Sequence, residues 1–148
     1  MNDDRTLAIS LFSELLTADQ LLRNRLTRVL PDRMEISHVS VLNHLAGQSG
    51  EKTPAQLARS FNVTRGAMTN TLTKLEISGY IHIRPDWDDA RRKRVSISPA
   101  GQRAREAALA AITPLITELV AELGAERVRT ALPVLRELRS KLEQPIEK

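Results

Sequence analysis

Arg65, Gly66, Thr69, Asn70 and Thr73 fall on one side of a helical repeat, and Arg91, Arg92, Lys93 and Arg94 follow as an unbroken run of cations. These residue types suit a nucleic-acid duplex. An Asn amide pairs bidentately with adenine, Thr presents a methyl and a hydroxyl, and Arg reaches guanine or a phosphate. Gly66 lets a backbone approach closely. An ordinary solvated helix would favour Glu and Lys there, because both form helix better than Thr, Asn or Gly. Four adjacent cations repel one another unless an anion is near. Asp86, Asp88 and Asp89 offset part of that charge. Phosphates, or a narrow minor groove that attracts Arg, would supply the rest. The competing readings are a solvated helix face and a mobile charged loop.

Local signals define the elements that must carry these groups. Leu7, Leu11, Leu15, Leu22, Leu26 and Leu30 predict a helix over 5–30, ended by Pro31. A second helix is expected from an N-cap at Ser37 to Gly47, followed by a loop over 47–52. Thr53-Pro54-Ala55-Gln56 has a capping Thr, a first-turn Pro and the Gln of a capping box. Asn62-Val63 makes a turn, and Thr64 caps a helix that runs to Ile77 and stops at Ser78-Gly79. Met68, Leu72 and Leu75 form its apolar face. Ile81–Ile83 and Val95–Ile97 alternate as strands of a hairpin whose loop spans 86–94. Ser98-Pro99 opens a helix to Leu123, with Pro114 expected to kink it, and Gly124 precedes a last helix over 126–143. The pattern is mainly α with a small β-wing. A winged helix–turn–helix over 37–98 lies between long amphipathic helices at 5–30 and 99–143, in a single 148-residue chain.

The terminal helices carry Leu stripes, Leu11 and Leu15 on one and Leu132, Leu135 and Leu138 on the other, that exceed what a small winged domain needs. Burying them against a second copy makes a homodimer, which presents two reading helices to a duplex.

Composition narrows the function. The segment 51–105 holds 11 Lys/Arg against 5 Asp/Glu, whereas the rest holds 11 against 13, so the basic excess sits in the winged region. Without cysteine there is no disulfide, thiol switch or thiolate metal site. His38 and His44 stand off a common helical face, and His82 is on a strand, which is a poor metal set. No nucleophile–base pair and no glycine-rich phosphate loop points to an enzyme, and no cofactor is expected. There is no apolar run of bilayer length and no basic leader, so the expected location is cytoplasmic, away from membranes.

With these residues assembled, the chain resembles the MarR family of winged helix–turn–helix regulators. The resemblance rests on TPAQLARSFNVTRGAMTNTLTKLEISGYI and on the wing signature Asp89-x-Arg91-x-x-x-Val95-x-Ile97-Ser98-x-x-Gly101, where the family commonly has Leu-Thr in place of Ile97-Ser98. It implies an obligate dimer built by the terminal helices and a pseudo-palindromic operator, usually repressed. It also implies a reading helix at 65–77, minor-groove entry by Arg91, and a wing steadied by Asp89. A small phenolic or anionic effector is implied in a crevice involving Phe12, Leu16, His38 and Leu42 and the start of the fifth helix. Members that sense oxidants through cysteine are poor guides here. The rival reading is a winged module that binds another protein rather than an operator.

Overall fold

In this computed structural model, which describes residues 2–47, 51–89 and 91–143, the chain is mainly helical with one two-stranded sheet. The order is α1 (Asn2–Val29), α2 (Ile36–Gly47), α3 (Pro54–Ser60), α4 (Arg65–Ile77), β1 (Ile81–Pro85), β2 (Lys93–Ile97), α5 (Pro99–Leu123) and α6 (Ala125–Glu143). A 3-10 turn at Pro31–Arg33 joins α1 to α2. Gln48–Gly50 of the loop expected over 47–52, and Ala90 of the hairpin tip, lie outside the described residues. Two compact units result, Met1–Ile112 and Thr113–Lys148, and their division falls inside α5 rather than at the end of the wing.

Capping sets the boundaries around the central helices. Thr53 Oγ1 accepts the Gln56 N–H at 3.1 Å while Gln56 Oε1 accepts the Thr53 N–H at 2.9 Å, closing the capping box of α3. Asn62 takes φ 52°, and the N–H of Val63 reaches back to the Ala58 carbonyl, so the chain leaves α3 by a left-handed turn. Thr64 Oγ1 accepts from Ala67 and starts α4. Gly79 at φ 79° ends it in the same manner, with Tyr80 N–H on the Leu75 carbonyl.

The start of α2 differs from expectation. Ser37 is not the N-cap, because the helix begins at Ile36. The Glu35 N–H donates to His38 Nδ1 at 3.2 Å, and the Glu35 carbonyl accepts from His38 and Val39. His38 thus does from the first turn what Gln does in a capping box. Its imidazole is almost buried, and desolvation pushes its pKa below the usual value; Lys74 acts in the same direction and the Glu35 carboxylate opposes it. A histidine held neutral by the fold contributes fully above its unfolded pKa of about 6.5, and that contribution is lost as pH falls from there through the lowered pKa of the folded state. The thermal midpoint is therefore expected to drop between pH 7.5 and 5.5, and His38→Asn, which keeps an acceptor without the titration, to flatten that fall. A wild-type midpoint that is level across this window would remove His38 as the cause.

The core belongs to the first unit and is aliphatic. Val41, Leu42, Leu57, Leu75, Ile81 and Val95 are its most deeply buried large side chains, joined by Met68 and Leu72 of α4 and Ala108 of α5. β1 and β2 pair antiparallel, with Ile81 opposite Ile97 and Ile83 opposite Val95. Lys52, expected in a loop, forms a bridge to Val95 on the other edge of β2, with N···O distances of 3.1 and 2.7 Å. Lys93 and Arg94, also expected in a loop, are strand residues.

Half of the wing signature is explained by packing. Ser98 Oγ donates to the Gly79 carbonyl at 2.6 Å and accepts the Gly101 N–H at 2.9 Å, which ties the end of α4 to the start of α5. A Cβ on Gly101 would collide with the Tyr80 carbonyl and lie 2.8 Å from Ile97 Cγ1, so only glycine fits.

In the second unit, Gly124 at φ 99° separates α5 from α6. Pro114 and Pro133 lie inside their helices and neither ends one. No residue described on α6 is buried; Leu132 and Leu138 are half-buried and Leu135 is 40% exposed. On α1, in the first unit, Leu15 is half-buried and Leu11 is 40% exposed.

Candidate nucleic-acid interface

α4 turns Met68, Leu72 and Leu75 into the core, which leaves Arg65, Gly66, Thr69, Asn70 and Thr73 exposed together on the opposite face. The helix backbone decides what two threonines offer. Thr73 Oγ1 donates to the Thr69 carbonyl at 2.8 Å, so it presents outward a methyl and an acceptor. Thr71 likewise donates to the Ala67 carbonyl and sits half-buried at the margin. Among the described residues no such bond from the Thr69 or Asn70 side chain accompanies them, which leaves both open to an outside partner. Around Gly66 a Cβ would meet nothing within 4 Å. The fold itself does not require glycine there, and the room suits a close-approaching backbone.

The wing is held by its own carboxylates. Asp86 is buried at the base of the tip, where its Oδ1 accepts the Asp88 N–H at 2.9 Å and its Oδ2 takes Arg94 Nε and Nη2, both at 3.1 Å. The Asp88 N–H foremost, and then Arg94, hold the Asp86 carboxyl below the usual carboxylate range against the cost of desolvation. Asp89 Oδ1 accepts both the N–H and the Nε of Arg91, at 3.1 and 3.3 Å, and its Oδ2 lies 3.6 Å from Arg92 Nε. The four wing cations therefore divide. Arg91 and Arg92 project from the tip, with the Arg91 side chain 92% exposed, and Lys93 is also exposed. Arg94 is engaged by Asp86 and serves the shape of the loop as well as its charge.

A groove of about 570 Å³ unites the two parts. Arg65 and Thr69 of α4 form one wall, Arg91–Arg94 the other, and the first turn of α3 with Arg59 closes the end. Six cations thus line one cleft, in which Asp89 and Asp86 offset part of the charge. A second recess of about 330 Å³ continues it between Thr69, Thr73 and Arg84. Sequence reasoning missed Arg59 and Arg84. Arg59 follows Gln56 at helical spacing on the polar side of α3 and was legible in that pattern. Arg84 was not, because its partner Glu51 is 33 residues away.

The positions expected to form an effector crevice do not share one environment. Leu42 has no exposed surface in the single chain and belongs to the core, because α2 turns it inward with Val41 and Leu45. His38 is nearly buried, whereas Phe12 and Leu16 of α1 are 45% and 72% exposed. A recess of about 320 Å³ lies instead between Arg23 of α1, Ser37 and Ser40 of α2, Phe61, and Met68 and Thr71 of α4. Among the described residues no single helix is long and apolar enough to cross a membrane.

Residues 33–92, which span α2 to the wing tip, match the sequence profile of the MarR family. The chain is 28% identical over 96 residues to YdgG, an uncharacterised HTH-type transcriptional regulator of Bacillus subtilis; the match spans 64% of this chain and 63% of that protein. A probable transcriptional regulator from Pseudomonas aeruginosa is 27% identical, with a TM-score of 0.76 over 84% of this chain and 92% of the other. A cysteine-to-serine mutant of MarR from E. coli, solved in complex with operator DNA, has the same fold, with a TM-score of 0.79 at 24% identity over 88% of this chain and 94% of the other. Profile and fold agree: residues 33–92 match the MarR family, and the chain has the fold of solved MarR structures.

Proposed function

We propose that this chain is a sequence-specific double-stranded DNA-binding transcriptional regulator, acting as a ligand-responsive homodimeric repressor. The observation that carries the reading is the cleft in which the polar face of α4 meets the cationic wing. A helix of this width enters a major groove, and the wing then stands over the adjacent backbone and minor groove. Operator DNA in the complex of the E. coli relative is the same kind of partner. The exposed leucines of α1 and α6 support the homodimer. The recess between α1, α2 and α4 supports a small anionic or phenolic effector, since it joins an apolar floor to Arg23 and two serine hydroxyls and abuts the back of the reading helix.

Selection of bound sequences from random duplex DNA tests the reading, repeated with small aromatic acids present. Enrichment of a two-fold symmetric site is expected. A chain that enriches no duplex, while capturing a protein partner through the same face, would instead be a protein-binding winged module.

Base reading is separable from backbone binding at Asn70. Asn70→Ala is expected to weaken the selected site by about 1–3 kcal/mol per contact and to relax preference at one position of each half-site. Affinity for random duplex should hardly change. An equal loss on both duplexes would make Asn70 a backbone contact and reverse the orientation assigned to α4.

A further inference from the structure

Trp87 is the only tryptophan, and it is 86% exposed at the wing. An exposed indole this large is the informative exception to burial, because its apolar faces gain most by leaving water. The segment that presents it is built rather than loose. On one side, Arg84 Nε and Nη2 grip the Glu51 carboxylate at 2.9 and 2.7 Å, and Arg84 Nη1 donates to the Pro85 carbonyl. The Arg84 guanidinium carbon then lies 5.8 Å from the centre of the Trp87 ring, a cation–π distance. On the other side, the Asp86 N–H donates to the Arg92 carbonyl, and the Asp86 carboxylate holds the N–H of Asp88. Residue 87 is thus clamped at both neighbours, with its side chain left outside.

The surface next to this ring identifies its partner. Arg84 also lines the recess formed by Thr69 and Thr73 of the reading helix with Arg92 and Lys93 of the wing. Through Arg84, the indole stands beside this recess of the candidate interface. Asp88 beside it disfavours direct contact with a phosphate, whereas a deoxyribose is uncharged and has an apolar face. We propose that Trp87 is a DNA-positioning residue whose ring packs on deoxyribose at the edge of the minor groove entered by the wing, and so holds the wing in register outside the half-site. This rests on the operator-binding reading above.

The single tryptophan makes the test direct. Binding of an end-labelled selected duplex is followed by anisotropy, and Trp87 emission with acrylamide quenching is read in the same titration of the intact chain. Emission is expected to change with the midpoint of the anisotropy curve, and the ring to become protected from acrylamide. Trp87→Ala is expected to weaken the duplex about tenfold, with Trp87→Phe retaining most of the affinity. The thermal midpoint of Trp87→Ala should equal that of the wild type, because so exposed a ring contributes little to the fold. Duplex binding with Trp87 still open to acrylamide, or with Trp87→Ala at wild-type affinity, overturns the inference and leaves operator binding intact. A wild-type chain that shows no anisotropy change with any selected duplex overturns both.

Discussion

Changing Leu11 and Leu15 together to Glu is expected to abolish the dimer and, with it, measurable operator binding. Neither leucine is buried in the single chain, and Leu7, Ile9, Phe12 and Leu16 around them are exposed as well. A contiguous apolar surface of this kind marks a site of association. Burial of one leucine contributes roughly 1.5–3 kcal/mol, so the four leucines of a symmetric pair contribute about 6–12 kcal/mol. Their loss alone raises the dissociation constant by at least about four powers of ten. Carboxylates at the same positions add the cost of desolvating charge. Sedimentation equilibrium of both proteins reads the result, and circular dichroism shows how much of the terminal helix content depends on association. A wild-type chain that sediments as a folded, soluble monomer at micromolar concentration would end the dimer proposal.

Arg91→Ala is expected to weaken the selected duplex roughly a hundredfold, taking about 1.5 kcal/mol for each charge-assisted contact and two copies per dimer. Arg91 is the most exposed of the ion-paired wing arginines, and among the described residues its side chain is anchored by the Asp89 carboxylate alone, which a phosphate can replace. Each lost phosphate contact lowers the slope of log affinity against log salt by about one, so the dimer should lose roughly two. Arg92→Ala or Lys93→Ala should flatten the slope with little change in sequence preference. Arg91→Ala should also erase discrimination between A/T-rich and G/C-rich flanks, because a narrow A/T-rich minor groove favours an inserted arginine. Affinity against salt on duplexes with the two kinds of flank separates these effects. If Arg91→Ala kept both its salt slope and its flank preference, the wing would not touch DNA. Arg94→Ala is a different case: Arg94 is bound to Asp86, so its loss disturbs the loop that presents Arg91.

What the sequence determined by itself was local. The capping box of Thr53 and Gln56, the cap at Thr64 and the left-handed stops at Asn62 and Gly79 each involve groups within five residues of one another. Helical periodicity also sorted α4 into a core face of Met68, Leu72 and Leu75 and an exposed face of Thr69, Asn70 and Thr73, because a rigid helix with one buried side leaves no other choice. The start of α2 escaped that logic, since a histidine ring accepting the Glu35 N–H is an uncommon cap and Ser37 offered a commoner one. The rest depended on contacts between distant residues. Lys52 became a strand partner of Val95, Arg84 was fixed by Glu51, and Arg94 left the loop for Asp86. Gly101 proved obligatory because the Tyr80 carbonyl occupies the space of its side chain. Periodicity states which face of an element is apolar, and capping states where it ends; neither states what lies across from it. The cleft between α4 and the wing exists only because burial of Ile81 and Val95 in the same core as Leu72 and Leu75 sets the hairpin beside α4, and that proximity is a property of the packed chain.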